Sequence, residues 1–197
     1  MIGELSFRIA LAVVFALTVA VTGYHRWQAA KSGERISRRD EGRLLCFAIR
    51  LSGLALFATA LAYLANPDLV EWAALPLPHS VRWSGTAIAA LAIGLLYWTL
   101  NALGTNLTDT VVTRRNHTLV TTGPYRWVRH PFYVATLWLV VASSLLAANW
   151  FMAVVGTAVF VLLAVRVSIE ERKLAERFGD EYLAYQARTG RFVPRLR

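Results

Sequence analysis

The sequence predicts an all-α integral membrane protein with five transmembrane helices, the last two a tight hairpin, and a cytoplasmic C-terminal helical tail. Three observations predict it. The 197 residues are 56% hydrophobic and only 17% charged, with a mean hydropathy of +0.45, which is too apolar for a soluble chain of this length. Five apolar runs follow one another from Leu5 to Tyr24, Leu44 to Leu64, Val81 to Leu103, Phe132 to Ala148 and Phe151 to Val167, where a hydrocarbon core ~30 Å thick needs roughly 20 apolar residues per helix. Basic residues crowd into alternate gaps between the runs, as the positive-inside rule requires of a multi-pass protein.

The first run lacks the marks of a cleaved signal peptide. No positive charge lies in Met1–Phe7 and no small-x-small site precedes Tyr24, so a retained helix with its N-terminus outside is expected. Arg8 and Arg50 fall inside the first two runs and are expected to snorkel or pair. The last two runs have about 17 residues each, or ~26 Å at 1.5 Å per residue. Only Asn149 and Trp150 separate them, which predicts the hairpin.

Residues 25–43 carry six Lys and Arg, residues 104–131 four and residues 166–197 eight, whereas residues 65–80 and the Asn149-Trp150 turn carry none. The first loop, third loop and tail are therefore expected on the cytoplasmic side. Each of these three segments is +3, and together they account for the net +9. The basic balance thus reads as topology and contact with anionic lipid headgroups, with no nucleic acid as partner. A single cysteine, Cys46, excludes a disulfide framework and any multi-cysteine metal site, so no metal is expected. The 12 glycines never come closer than nine residues apart, which excludes both a G-x-G-x-x-G turn and a phosphate loop. There is no room for a separate soluble catalytic domain.

Chemistry is therefore sought where polar residues crowd against a membrane face. The segment from His117 to Tyr133 is the densest. Gly123-Pro124 marks a turn, and Pro131 suits the first position of the fourth helix. Arg129 and His130 then lie at that helix N-terminus, where free N–H groups, the dipole and the charges of Arg126 and Arg129 favour an anion such as a carboxylate. Alternatively, Arg, Trp and Tyr here form an interfacial belt with His130 as a helix cap. A second cluster starts at Arg166 and Glu170, four apart and so on one helix face, continued by Lys173 and Arg177. As a surface pair Arg166–Glu170 is worth only ~0.3–0.5 kcal/mol. Its position at the end of an apolar run, where an unpaired charge is costly, is more informative.

The string G-P-Y-R-W-V-R-H-P-F-Y, an apolar hairpin, then R-x-x-x-E-E-x-x-L-x-x-x-F-G-x-x-Y-x-x-Y and a late V-P-R resembles the isoprenylcysteine carboxyl methyltransferase family, with phospholipid N-methyltransferases as more distant relatives. The resemblance covers residues 104–197. It divides the chain into three N-terminal helices with a basic loop, residues 1–103, and a methyltransferase-like region of loop, hairpin and tail, residues 104–197.

The resemblance implies S-adenosylmethionine as cofactor, bound by the loop before the fourth helix, the hairpin and the tail without a Rossmann domain. On that basis His117, Leu119, Val120, Gly123, Tyr125, Arg126, His130, Pro131, Tyr133, Glu171 and Tyr182 are expected to bind the cofactor. Arg129, Arg166 and Glu170 are expected to orient the substrate or take part in catalysis. The function implied is carboxyl O-methylation of a prenyl-cysteine-like or other lipidic acceptor, with the prenylated or lipidic small molecule and membrane lipids as partners. Methyl transfer to a carboxylate asks the site mainly to align and desolvate the reactants, and an arginine can hold one carboxylate oxygen. Transfer to an amine would instead need a carboxylate base, Glu170 or Glu171. Three other readings remain: a lipid N-methyltransferase, a nicotinamide-dependent membrane reductase on a related scaffold, and a non-enzymatic membrane scaffold.

Overall fold

The computed structural model describes residues 2–31, 43–104 and 118–195. Among these described residues are six α-helices: α1 Ile2–Ala30, α2 Arg43–Ala65, α3 His79–Leu103, α4 Pro131–Ala147, α5 Trp150–Phe178 and α6 Asp180–Arg188. No β-strand occurs among the described residues, only isolated bridges between Ala74 and Asn149 and between Val128 and Gly190. The expected all-helical architecture is present. Four helices, α1, α2, α3 and α5, are long and apolar enough to cross a membrane, while α4 with 17 residues is shorter.

Two helices outrun their apolar segments. α1 continues past Tyr24 to Ala30, and α5 continues past Val167 to Phe178. Neither extension contains a proline or glycine to interrupt the backbone hydrogen-bond ladder, so the helix persists where its sequence turns polar. The hairpin between α4 and α5 is as tight as expected, with its turn one residue earlier. Ala148 takes a left-handed conformation at φ 47. Asn149 caps α5, its side chain accepting from the Met152 N–H at 2.9 Å, and Trp150 is already helical.

α4 sits among its neighbours, with its most extensive interface against α3 and others against α5 and α1. Small residues make this possible: Ala135, Ala142, Ser143 and Ser144 are buried on α4, letting the backbones approach closely as apolar helices in lipid do. Gly156 of α5 is where closeness is greatest. A Cβ there would lie 2.0 Å from Val140 Cγ1 of α4.

Toward the end where α1 begins, Phe7, Leu11 and Val14 of α1 pack with Ala60 and Tyr63 of α2, Ala142 and Leu146 of α4, and Met152 of α5. At the other end, Leu96 and Leu100 of α3 meet Ala135 of α4, flanked by Val21 and Phe132. Leu44, Phe47, Leu51, Leu54 and Phe57 of α2 are exposed, as befits residues facing lipid.

One buried charge in the spans is met by three elements. The Arg82 guanidinium donates to Glu4 at 2.8 and 3.0 Å, to the Tyr63 hydroxyl at 2.8 Å, and to the Leu146 carbonyl at 2.8 and 3.1 Å. This satisfies a guanidinium that lipid could not solvate. Arg8 pairs as expected, though with backbone: it donates to the Leu64 and Ala65 carbonyls at the end of α2, groups that have no partner within their own helix. Arg50 is exposed.

Candidate active site

The sequence before α4 folds as a short 3₁₀ turn, Gly123–Arg126, followed by an irregular stretch to His130. Gly123 has φ 60 and lies against Ala102 and Trp98 of α3, which fixes the turn to the helical bundle. Pro131 is the first residue of α4, so the N–H it lacks is one the helix would not have used. Immediately before it, Arg129 and His130 point at the extension of α5.

There the Glu171 carboxylate, 5% exposed, gathers three segments. Its Oε1 accepts from Arg129 Nε at 2.7 Å and from His130 Nε2 at 3.2 Å, and its Oε2 accepts from Arg191 of the tail. An ionised carboxylate only accepts, so His130 carries its proton on Nε2. Arg129 also donates through Nη1 to the carbonyls of Gln186, at 3.2 Å, and Thr189, the unpaired backbone acceptors at the end of α6. The backbone completes the junction. Arg129 N–H donates to Gly190 at 2.9 Å, His130 N–H to Arg191 at 3.1 Å, and Gly190 N–H to Trp127 at 3.2 Å.

Beside this ion cluster is an aromatic wall. His130 stacks on Tyr133, centroids 5.7 Å apart and planes 17° from parallel, and Phe192 lies 6.0 Å from His130. The Tyr133 hydroxyl donates to Glu170 at 3.1 Å, one residue before the buried Glu171. α6, turned off α5 at Gly179, inserts Tyr182 and Tyr185 beneath the junction, 1% and 3% exposed. Burial pushes the Tyr185 hydroxyl up to about 12, so it remains a donor, to the Tyr125 carbonyl at 2.8 Å. Burial raises the Tyr182 and Tyr125 hydroxyls too. Among the described residues the Tyr182 hydroxyl has no hydrogen-bond partner, so its hydrogen-bonding capacity is unfilled.

The residues expected from sequence distribute unevenly. Arg129, His130, Pro131, Tyr133, Glu170, Glu171 and Tyr182 come together around the α4 N-terminus. Tyr125 is buried under it, and Gly123 serves the turn. Arg166 lies one turn before Glu170 on α5. Arg126 is exposed and stacks on Trp127, its guanidinium 3.9 Å from the ring centroid. Leu119 and Val120 are half-buried ahead of the turn, and His117 lies outside the described residues. Sequence reasoning did not single out Arg191, Thr189 or Phe192. The late V-P-R pointed at their neighbourhood, but a charge in an exposed tail gives no sign of its partner.

Residues 85–176 match the model of the Isoprenylcysteine carboxyl methyltransferase (ICMT) family. The cobalt-zinc-cadmium resistance protein CzcN of Cupriavidus metallidurans is 35% identical over 63% of this chain and 58% of its own length. The protein-S-isoprenylcysteine O-methyltransferase of Saccharomyces cerevisiae is 33% identical over 48% of this chain and 41% of its own, and that of Homo sapiens 33% over 46% and 33%. The matches thus span between a third and three fifths of these relatives. The solved structure of the eukaryotic intramembrane Ras methyltransferase ICMT superposes with a TM-score of 0.57 over 94% of this chain and 67% of that one, at 21% identity, a likeness of fold. By sequence over residues 85–176 and by architecture over nearly its whole length, the chain is similar to the ICMT family.

Proposed function

We propose that the protein is an S-adenosylmethionine-dependent membrane methyltransferase that esterifies the carboxylate of a prenyl-cysteine-like or other lipidic acceptor. The observation that carries this reading is the junction at the α4 N-terminus, where Glu171 ties loop, helix and tail beside an aromatic wall at one membrane face. The names of the yeast and human relatives agree with it.

The residues present fit such a donor. His130, Tyr133 and Phe192 offer ring surface to a purine and to a sulfonium, and the buried Tyr182 hydroxyl offers a hydrogen bond. When bound, the donor would supply an electrophilic methyl group on sulfur for transfer to a carboxylate oxygen, the C–S electron pair staying on the departing sulfur. The chain's own residues bind and orient. Glu171 is already met by three side chains, so its part is to hold the loop and tail together and keep His130 in one tautomer. Arg129, committed to Glu171 and two carbonyls, shares that part. Acceptor orientation then falls to Arg166, with Glu170, fixed by Tyr133, as its neighbour one turn along.

The reading places the N-terminus outside, five crossings in the membrane, and the site and C-terminus on the cytoplasmic side, in keeping with the three +3 segments. Purified protein incubated with methyl-labelled donor and a farnesylcysteine analogue bearing a free carboxylate tests it. The expected product carries a label released as methanol by mild base. A base-stable label would point to an amine acceptor, and no transfer to any lipid extract would overturn the reading.

A further inference from the structure

The tail after α6 packs against the cluster. Thr189 and Tyr182 beneath it are buried, as are His130 and Glu171, whereas Arg191 is 42% exposed on its side chain and Val193 is 73% exposed. Residues 189–193 are held by the backbone bonds to Trp127, Arg129 and His130, by the Arg191–Glu171 ion pair, and by Phe192, which rests on His130 and, 5.4 Å away, on Phe160 of α5. The turn itself is set by Gly190. A Cβ there would lie 1.7 Å from the Val193 carbonyl oxygen, so no other residue allows the chain to fold back over the site in this way.

These attachments are mostly polar, the segment itself is exposed at Arg191 and Val193, and among the described residues Phe192 is its one aromatic anchor. Segments of that kind open at a small fraction of the global unfolding free energy. Of the side chains meeting Glu171, only Arg191 comes from the part that would lift. Arg129 and His130 belong to the loop and stay with α4.

We propose that residues 189–193 are a strap over the donor site and that Arg191 is the positioning residue that latches it, so that donor enters and demethylated product leaves when the strap lifts. The proposal rests on the functional reading above for the identity of the ligand and on the geometry alone for the strap. Arg191 is paired with Glu171. It acts by holding the Gly190 and Arg191 carbonyls on the Arg129 and His130 amides.

Arg191→Ala and Arg191→Lys, each made in the full chain and purified in detergent, provide the test. In the ligand-free protein, hydrogen exchange at the Arg129 and His130 amides is expected to speed up ~10-fold in Arg191→Ala, with the rest of α4 unchanged and Arg191→Lys between the two, as for the loss of one charge-assisted bond at a partly exposed site. S-adenosylhomocysteine should dissociate ~10-fold faster from Arg191→Ala in stopped flow. Its dissociation from wild type should quicken with salt, while that from Arg191→Ala should respond far less. Unchanged amide exchange, or unchanged dissociation from a protein that does bind the ligand, would overturn the strap. Failure of wild type to bind S-adenosylhomocysteine would count against the functional reading instead and leave the strap to be judged by amide exchange.

Discussion

Replacing Glu171 by alanine is expected to collapse the donor site while leaving the helical bundle formed. The substitution removes the one acceptor shared by Arg129, His130 and Arg191. Two of these, Arg129 and His130, are largely buried, with side chains 9% and 5% exposed, and would keep N–H donors with no partner in a poorly solvated place. Breaking a buried pair from one side costs about 3–5 kcal/mol, against a few tenths for an ion pair in water. The expectation is a large fall in the thermal midpoint in detergent, loss of donor binding, and helical circular dichroism preserved below the transition. Glu171→Gln should fall between, because an amide oxygen in the place of Oε1 accepts two of the three bonds while its NH2 faces the third donor, Arg191. Wild-type stability in Glu171→Ala would mean that the cluster is solvated and does not hold the loop to the tail.

Arg166→Ala and Glu170→Ala are expected to lose ~10²-fold or more in turnover, equivalent to ~2.7 kcal/mol at 1.36 kcal/mol per decade. Donor affinity should change much less, since the bonds that Glu171 accepts from Arg129, His130 and Arg191 remain. If the two act as a unit on the acceptor carboxylate, the double variant should be little worse than the worse single one. Tyr133→Phe, which removes the hydroxyl that fixes Glu170 at 3.1 Å, should move turnover in the same direction by less. Turnover of Arg166→Ala near that of wild type would show the pair to be an ordinary helix-surface contact, worth a few tenths of a kcal/mol in stability.

Much of the fold was legible because a bilayer leaves helices few alternatives: an apolar run of sufficient length must satisfy its own backbone. A helix stands at each of the five apolar runs, four of them long and apolar enough to cross a membrane, and the hairpin turn was displaced by one residue because Ala148 adopts the left-handed turn that glycine or asparagine usually supplies. The ends of α1 and α5 were harder to read. Hydropathy marks where lipid stops, while a helix stops only at a breaker, which for α5 is Gly179. In the site, residues within one motif were found together because sequence neighbours such as Arg129, His130 and Tyr133 share a helix start. Contacts across the chain were not. Arg82 meets Glu4 and Tyr63 at separations of 78 and 19 residues, and Arg191 meets Glu171 at 20, distances at which no periodicity links two positions. For the same reason the sequence did not show that Glu171 joins Arg129, His130 and Arg191.

Titrating S-adenosylmethionine and S-adenosylhomocysteine calorimetrically into wild type and Glu171→Gln tests most directly whether a donor site lies at the α4 N-terminus. Saturable binding of both ligands to wild type, sharply weakened in a folded Glu171→Gln protein, is the expected result. Equal affinity in the two proteins would put the donor elsewhere, and no heat with either ligand in wild type would contradict a methyl-donor site altogether.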